Sequence, residues 1–273
     1  FRFSEDTLKD IDILVYHKGI PFRNQLDANN FNNLINKYEI KIVFDIDDHW
    51  ELDTTHINYK AWVNNNSMDV ILNHIKSAHY VTTTTPIFAD IIKDINPNVK
   101  VFENAMNIKE QQWTPNKTKS DKTRFIWGGG ITHKYDLALL ESAIKGLDEN
   151  YLDKSQLYLC GFDLRMKSPD GRISMDDPNR SMWGKFEHIF TNNYKWVNDI
   201  EYKSWLRKFT DNGEGNYGKN DKYIDQWYQR RWTKPIFTYG TMYNEADVAL
   251  APLVDTPFNC AKSQLKVIEA GIH

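Results

Sequence analysis

The sequence predicts an α/β chain made of two successive parallel-sheet units. Three observations carry that expectation. Short apolar, β-branched runs alternate with longer segments of helical spacing, which is the pattern of βαβ units and a parallel sheet. One polar and charged stretch, KEQQWTPNKTKSDK at 109–122, interrupts the alternation, which then restarts. The chain has 273 residues, room for one large domain or two ordinary ones at roughly 100–200 residues each.

In order along the chain, residues 12–16 (DILVY), 41–46 (KIVFDI), 79–83 (HYVTT) and 99–103 (VKVFE) read as the strands of a first unit, 1–108. Between them, 30–38 and 68–77 carry apolar residues at helical spacing. Residues 86–95 open with Pro at a first helical turn, behind threonines that can cap it. After the linker at 109–122 comes a second unit, 123–273. Its expected strands are 124–127, 156–160, 236–238 and 248–251; its expected helices are 135–147 and one from about Ala261. The stretch 164–235 breaks this rhythm. It holds two polar loops and the aromatics Trp183, Tyr194, Trp196, Trp205, Trp227, Tyr228 and Trp232, and reads as an insertion with helices at 199–209 and 222–231.

Composition narrows the function. Lys plus Arg is 34 and Asp plus Glu is 37, a net charge of −3, so nothing global calls for a polyanionic partner. Mean hydropathy is −0.63, and no apolar run approaches the length of a membrane-spanning helix. Two cysteines, Cys160 and Cys260, are too few for a disulfide framework or a cysteine zinc site, which makes a reducing, cytoplasmic location the expectation. No GxGxxG, no phosphate-loop GK[ST], no HExxH and no GxSxG is present.

Three segments carry candidate chemistry. Gly128-Gly129-Gly130 follows a strand and precedes a helix, where backbone N–H groups can approach a phosphate; a tight strand–helix turn would need the same glycines. Asp45-Ile46-Asp47-Asp48 ends another strand. Clustered carboxylates there suit metal ligation, a general base or sugar hydroxyls, and equally a solvated turn. Near the C-terminus, Asn259 or a neighbour can cap a helix whose first turn holds Lys262 and Ser263, with Glu269 two turns on. A cation for a diphosphate and a carboxylate for ribose hydroxyls would suit one nucleotide; an amphipathic helix burying Leu265 and Ile268 is the alternative.

Taken together, these segments resemble the group 1, family 4-like GT-B glycosyltransferases, which are typically retaining. The resemblance runs through Asp47-Asp48, 78–84, 99–107 with Asn104, 126–140, 157–161 and, most specifically, 243–270. It covers nearly the whole chain except the aromatic insertion. It implies two Rossmann-like parallel-sheet domains facing each other across a cleft, an acceptor-side domain at 1–108 and a nucleotide-sugar domain at 123–273. Carried over, Gly129, Gly130, His133 and Lys134 would lie against the donor diphosphate. Lys262 and Ser263 would contact phosphate, Asn259 would belong to the donor site, and Glu269 would contact the ribose. Asp47 falls where relatives place a catalytic or sugar-contacting His, and Asp48 accompanies it. Ala261 stands where the family has the first of two glutamates, a departure that bears on which sugar is donated.

The implied activity is sugar transfer from a nucleoside-diphosphate sugar to a glycan, lipid or other acceptor. It would need no metal and no cofactor beyond the donor. A nucleotide-sugar 2-epimerase of the same fold is the alternative enzyme. A carbohydrate- or nucleic-acid-binding module, whose aromatic insertion with Arg230 and Arg231 would stack on sugars or bases, is the alternative without turnover. The net charge speaks against nucleic acid, and peripheral membrane contact stays open. The chain opens at Phe1 and stops in a helical pattern, so a fragment lacking the family's first strand and closing elements is expected.

Overall fold

The computed structural model describes residues 3–20, 22, 24–163, 165–168, 170–175, 181–191 and 227–273. Its elements run α1 (Glu5–Leu8), β1 (Ile13–His17), α2 (Gln25–Lys37), β2 (Lys41–Asp45), α3 (Tyr59–Asn64), α4 (Ser67–Ser77), β3 (Tyr80–Thr83), α5 (Pro86–Lys93) and β4 (Val99–Val101). They continue with β5 (Thr123–Gly128), α6 (Lys134–Ala138), α7 (Glu141–Lys145), α8 (Glu149–Asp153), β6 (Ser155–Phe162), β7 (Arg165–Lys167), β8 (Ile173–Met175) and α9 (Met182–Thr191). β9 (Tyr228–Trp232), β10 (Val248–Ala249), α10 (Pro257–Cys260) and α11 (Leu265–Ile272) complete them. Two parallel four-stranded sheets result, ordered β1-β2-β3-β4 and β10-β5-β6-β9, as in Rossmann-like domains.

Local chemistry accounts for the helix starts. Asn24 caps α2 by accepting from the Asp27 N–H at 2.9 Å, which starts that helix earlier than the apolar spacing alone indicates. Thr85 caps α5 by accepting from the Phe88 N–H, with Pro86 at the first helical position as expected. The expected helix 135–147 is instead two short helices, α6 and α7, joined by a turn at Leu139–Leu140.

Contacts divide the chain into two compact units: Phe1–Ala105 with Asp255–Gln264, and Met106–Val254 with Leu265–His273. The sequence alone places 255–264 in the C-terminal unit, 123–273. Side chains tie it to the first: Thr85 Oγ1 donates to the Ala261 carbonyl at 3.0 Å, Asn104 Nδ2 donates to Ser263 Oγ at 2.7 Å, and Ala261 is fully buried in the first core. The stretch expected as a linker contains a 3-10 turn, Gln111–Trp113, whose buried Trp113 joins a core of the second unit.

Within the first unit, α2, α4 and α5 send Phe31, Ile35, Ile71, Ile75, Phe88 and Ile92 into one core with Ile42, Phe44, Val81 and Val99. Within the second, alternate residues of β5 and β6 point into two different cores. Trp127, Leu157 and Leu159 pack with Trp183, Phe186 and Phe190 of α9; Ile126, Tyr158 and Cys160 pack with Trp113, Tyr243 and Ala246.

The stretch 164–235 differs most from expectation. The expected helix 199–209 lies outside the described residues. At the end of the expected helix 222–231, Tyr228–Trp232 is instead strand β9, parallel to β6. Trp227 and Tyr228 are buried in the second unit's core, as is Trp183, so these aromatics serve the main sheet. No strand forms at 236–238, where Ile236 and Phe237 are 71% and 76% exposed. The expected helix from Ala261 starts at Leu265, because Thr256 caps the separate short turn α10 and the chain breaks after it.

Candidate functional site

In a parallel sheet, a crevice opens at the carboxyl ends of strands where successive connections run in opposite directions. In the second sheet β5 leads to β6 and β9 on one side, and β10 then returns to the other side of β5. A cavity of about 340 Å³ sits at this carboxyl edge. Gly128 and Gly129 from the end of β5, and Cys160 and Gly161 from β6, form its floor; Arg231, Lys234, Lys266 and Glu269 contribute charge. A smaller hollow of about 150 Å³, at the ends of β5 and β10, shares Gly128, Tyr243 and Lys266 with it.

Close backbone approach explains the glycines. Gly161 has φ +98°, marks the register shift between β6 and β9, and a Cβ there would sit 2.2 Å from the Gly129 carbonyl oxygen. A Cβ on Gly129 would meet the Trp127 ring at 2.7 Å, whereas Gly130 has room for one.

The charged groups are held in fixed places. Both carboxylate oxygens of buried Glu269 accept from tyrosines, Tyr239 at 2.5 Å and Tyr243 at 3.0 Å. Burial and the Glu269 carboxylate both push these tyrosine pKa values up. The Arg231 guanidinium stands 4.4 Å from the Tyr158 ring centre and its Nε donates to Glu245 at 3.0 Å. Burial opposes its charge, but Glu245, Tyr158 and Cys160 together outweigh burial and hold the pKa above the ordinary arginine value. Arg231 therefore stacks on an internal ring. Lys234 Nζ donates to Thr241 at 3.0 Å, and Lys266 Nζ lies 5.3 Å from the Trp127 ring centre. Burial pushes the Cys160 thiol up to about 12, so it is an inert part of the floor.

A second group of charges stands at the carboxyl edge of the first sheet. His17 of β1 lies in register with Asp45 of β2, and Asp45 with Thr82 of β3. His17 Nδ1 is 2.9 Å from Asp45 Oδ2, and Thr82 Oγ1 donates to Asp45 Oδ1 at 2.5 Å. Lys18 bridges Asp47 at 3.0 Å and Asp48 at 2.6 Å. Burial opposes the Lys18 charge, but the hydrogen bonds to Asp48 and Asp47 outweigh it and raise its pKa. The neighbouring His49 is buried against Trp50 and Phe88, and burial lowers its pKa.

Among the residues singled out from sequence, Gly129 and Glu269 line the second unit's cavity. Gly130, His133 and Lys134 do not; His133 Nδ1 instead pairs with buried Asp136 at 2.7 Å, and Lys134 Nζ lies 5.0 Å from the Tyr135 ring centre. Asn259, Lys262 and Ser263 belong to the first unit. The Asn259 N–H donates to Thr256 Oγ1, Lys262 Nζ lies 4.8 Å from the Phe258 ring centre, and Ser263 takes the hydrogen bond from Asn104. Asp47 and Asp48 stand together, both held by Lys18. Sequence reasoning missed Lys18 and His17, although Gly19, three residues after the end of the apolar run 12–16, marked the turn that places them. It missed Lys266 because a helix started at Ala261 puts Lys262 in the first turn instead.

Fold and site thus define the class: an α/β chain with two parallel sheets, each carrying charged side chains at its carboxyl edge, and a glycine-floored cavity in the second. No protein-family model matches the chain, and no curated protein gives a significant match. Among the described residues, no three or more His, Cys, Asp or Glu side chains are grouped to hold a metal ion, and no helix is long and apolar enough to cross a membrane.

Proposed function

We propose that the chain is a glycosyltransferase of the GT-B kind, moving a sugar from a nucleoside-diphosphate donor to a hydroxyl acceptor. One observation carries the reading. The cavity at the carboxyl edge of the second sheet combines a two-glycine floor, the cations Arg231, Lys234 and Lys266, and the buried carboxylate Glu269. A departing diphosphate needs fixed positive charge and N–H donors, and a nucleoside needs apolar walls with a few polar anchors. Tyr239, Met242, Tyr243 and Leu265 supply such walls. In this reading the second unit binds the donor, with Lys266 as a cation for the diphosphate. The first unit binds the acceptor beside Asp47 and Asp48. Electrostatic stabilisation of the leaving group makes a metal unnecessary.

A melting-point panel with UDP, GDP, ADP and CDP sugars tests this, because a bound ligand raises the melting point by mass action. At least one donor should raise it, and Lys266→Ala should weaken that donor's affinity about 10-fold or more, since charge-assisted contacts to phosphate are strong. Turnover should survive excess EDTA. A panel without any shift sinks the reading, and activity lost to EDTA and restored by Mn²⁺ sinks its metal-free part.

A further inference from the structure

We infer that the nucleotide site does not read the ribose 2′-hydroxyl, so that its donors include 2′-deoxynucleoside-diphosphate sugars as well as their ribose counterparts. This rests on the transferase reading and names the substrate class of the same cavity. On this point the chain departs from the family resemblance, which would put Glu269 on the ribose.

Discrimination against a missing hydroxyl comes from the protein group that loses its partner. A site built to bond a substrate hydroxyl rejects the analogue without it, because a buried polar group is then left unpaired. Glu269 is not left in that state. It is 5% exposed, and both its oxygens are engaged within the chain: Tyr239 Oη donates to Oε1 at 2.5 Å and Tyr243 Oη to Oε2 at 3.0 Å. Each oxygen keeps a second lone-pair direction, but an oxygen that loses a second partner is still bonded. The other carboxylate among the described lining residues, Glu245, accepts from Arg231 Nε at 3.0 Å. None of the described side chains lining the cavity has a buried N or O atom that lacks a partner. The absence of a 2′-hydroxyl therefore strands no group among them.

What Glu269 does is fix the walls. Tyr239 and Tyr243 stand four residues apart in the 3-10 segment Tyr239–Glu245, and Glu269 holds both by their hydroxyls. Trp113 supports the segment from beneath. Its ring meets Tyr239 edge-on at 5.5 Å, and a Cβ on Gly240 would sit 2.5 Å from it. The Gly240 N–H donates to Gln112 Oε1 at 3.2 Å. All of these residues lie in the second unit. Rigid aromatic walls take a nucleoside by shape and apolar contact, which one sugar hydroxyl more or less does not change. Glu269 is thus a positioning residue.

The test is calorimetry on the whole chain with four pairs of probes: UDP and dUDP, GDP and dGDP, ADP and dADP, CDP and dCDP. In any pair that binds, the two forms should agree within about 3-fold in affinity, whereas a site that bonds the hydroxyl prefers ribose by far more. A deoxy form weaker by about 10-fold or more overturns the inference. Glu269→Gln should weaken both forms equally, about 3- to 10-fold, through the loosened tyrosines. Inorganic pyrophosphate, which needs only the glycine floor and Lys266, should bind that variant within about 2-fold of wild type. A loss confined to the ribose form would put Glu269 on the ribose, and a pyrophosphate loss equal to that of the nucleotides would remove its positioning role; either overturns the inference. If none of the eight nucleotides binds, the transferase reading falls and this inference with it. If the ribose forms bind and the deoxy forms do not, this inference alone falls.

Discussion

In the second sheet, residues pointing either way from the strands find a core: Trp127 is 1% exposed on one face and Ile126 1% on the other. In the first sheet, Ile42, Phe44 and Val81 are buried on one face, while their neighbours Ile13, Val15 and Tyr80 are 58%, 62% and 49% exposed on the other. Strand order explains the contrast. Right-handed crossovers that all step in one direction put every connecting helix on the same face, which is what the order β1-β2-β3-β4 produces. Where the order reverses, between β9 and β10, the returning chain covers the opposite face with the segment around Tyr243 and the end of α11, and a crevice opens beside it. Among the described residues, the reversal both completes the second unit's core and creates its cavity.

Substitution at each face would break or sharpen this contrast. Trp127→Ala, in the doubly covered sheet, should cost about 4 kcal/mol in urea unfolding, while Val15→Ser, on the open face, should cost under about 0.5 kcal/mol. Similar costs at the two sites would mean that the first sheet is covered in solution.

The ion pairs make the same point. Arg124 is 4% exposed, and its Nε and one terminal nitrogen reach the two oxygens of Asp247 at 3.1 Å each. Asp247→Ala would strand that guanidinium and should cost about 3 kcal/mol, against less than about 1 kcal/mol for Asp48→Asn at the open edge of the first sheet. Hydrogen bonds from Arg124 hold the Asp247 carboxyl down at about 2. A depressed folded pKa gives stability that is present above the unfolded value near 3.8 and is lost as pH falls through the folded one. The margin of wild type over Asp247→Asn should therefore be constant from pH 7 to 5 and shrink between about pH 4 and pH 2.

The smallest expected effect separates the glycines. Gly161→Ala, with positive φ and a backbone carbonyl in its way, should cost about 2 kcal/mol and lower donor affinity, whereas Gly130→Ala should change either by less than about 0.5 kcal/mol.

Most of the strands were legible because apolar runs such as DILVY and KIVFDI are bounded by polar turns, and Thr85-Pro86 announces its helix. β9 was not, since YQRRW places a glutamine and two arginines in a strand. Gln229 is 2% exposed and Arg231 is neutralised by Glu245, a partner 14 residues away that no local pattern reveals. At the site, Gly129 and Glu269 were legible from motif and position. Lys266 was hidden by the break between α10 and α11, which shifts the helical register by about one turn. His17 and Lys18 become neighbours of Asp45, Asp47 and Asp48 only once two strands pair side by side.

The placement of Asp255–Gln264 with the first unit has a consequence for the order of synthesis. Thr85 and the first core wait for Ala261, which emerges only after the second unit's Met106–Val254 has been made. From residue 105 to residue 264 is 159 residues, roughly 8 to 32 seconds of translation at 5–20 residues per second. For that interval the first unit lacks its last core residue, although most of it is made before the second.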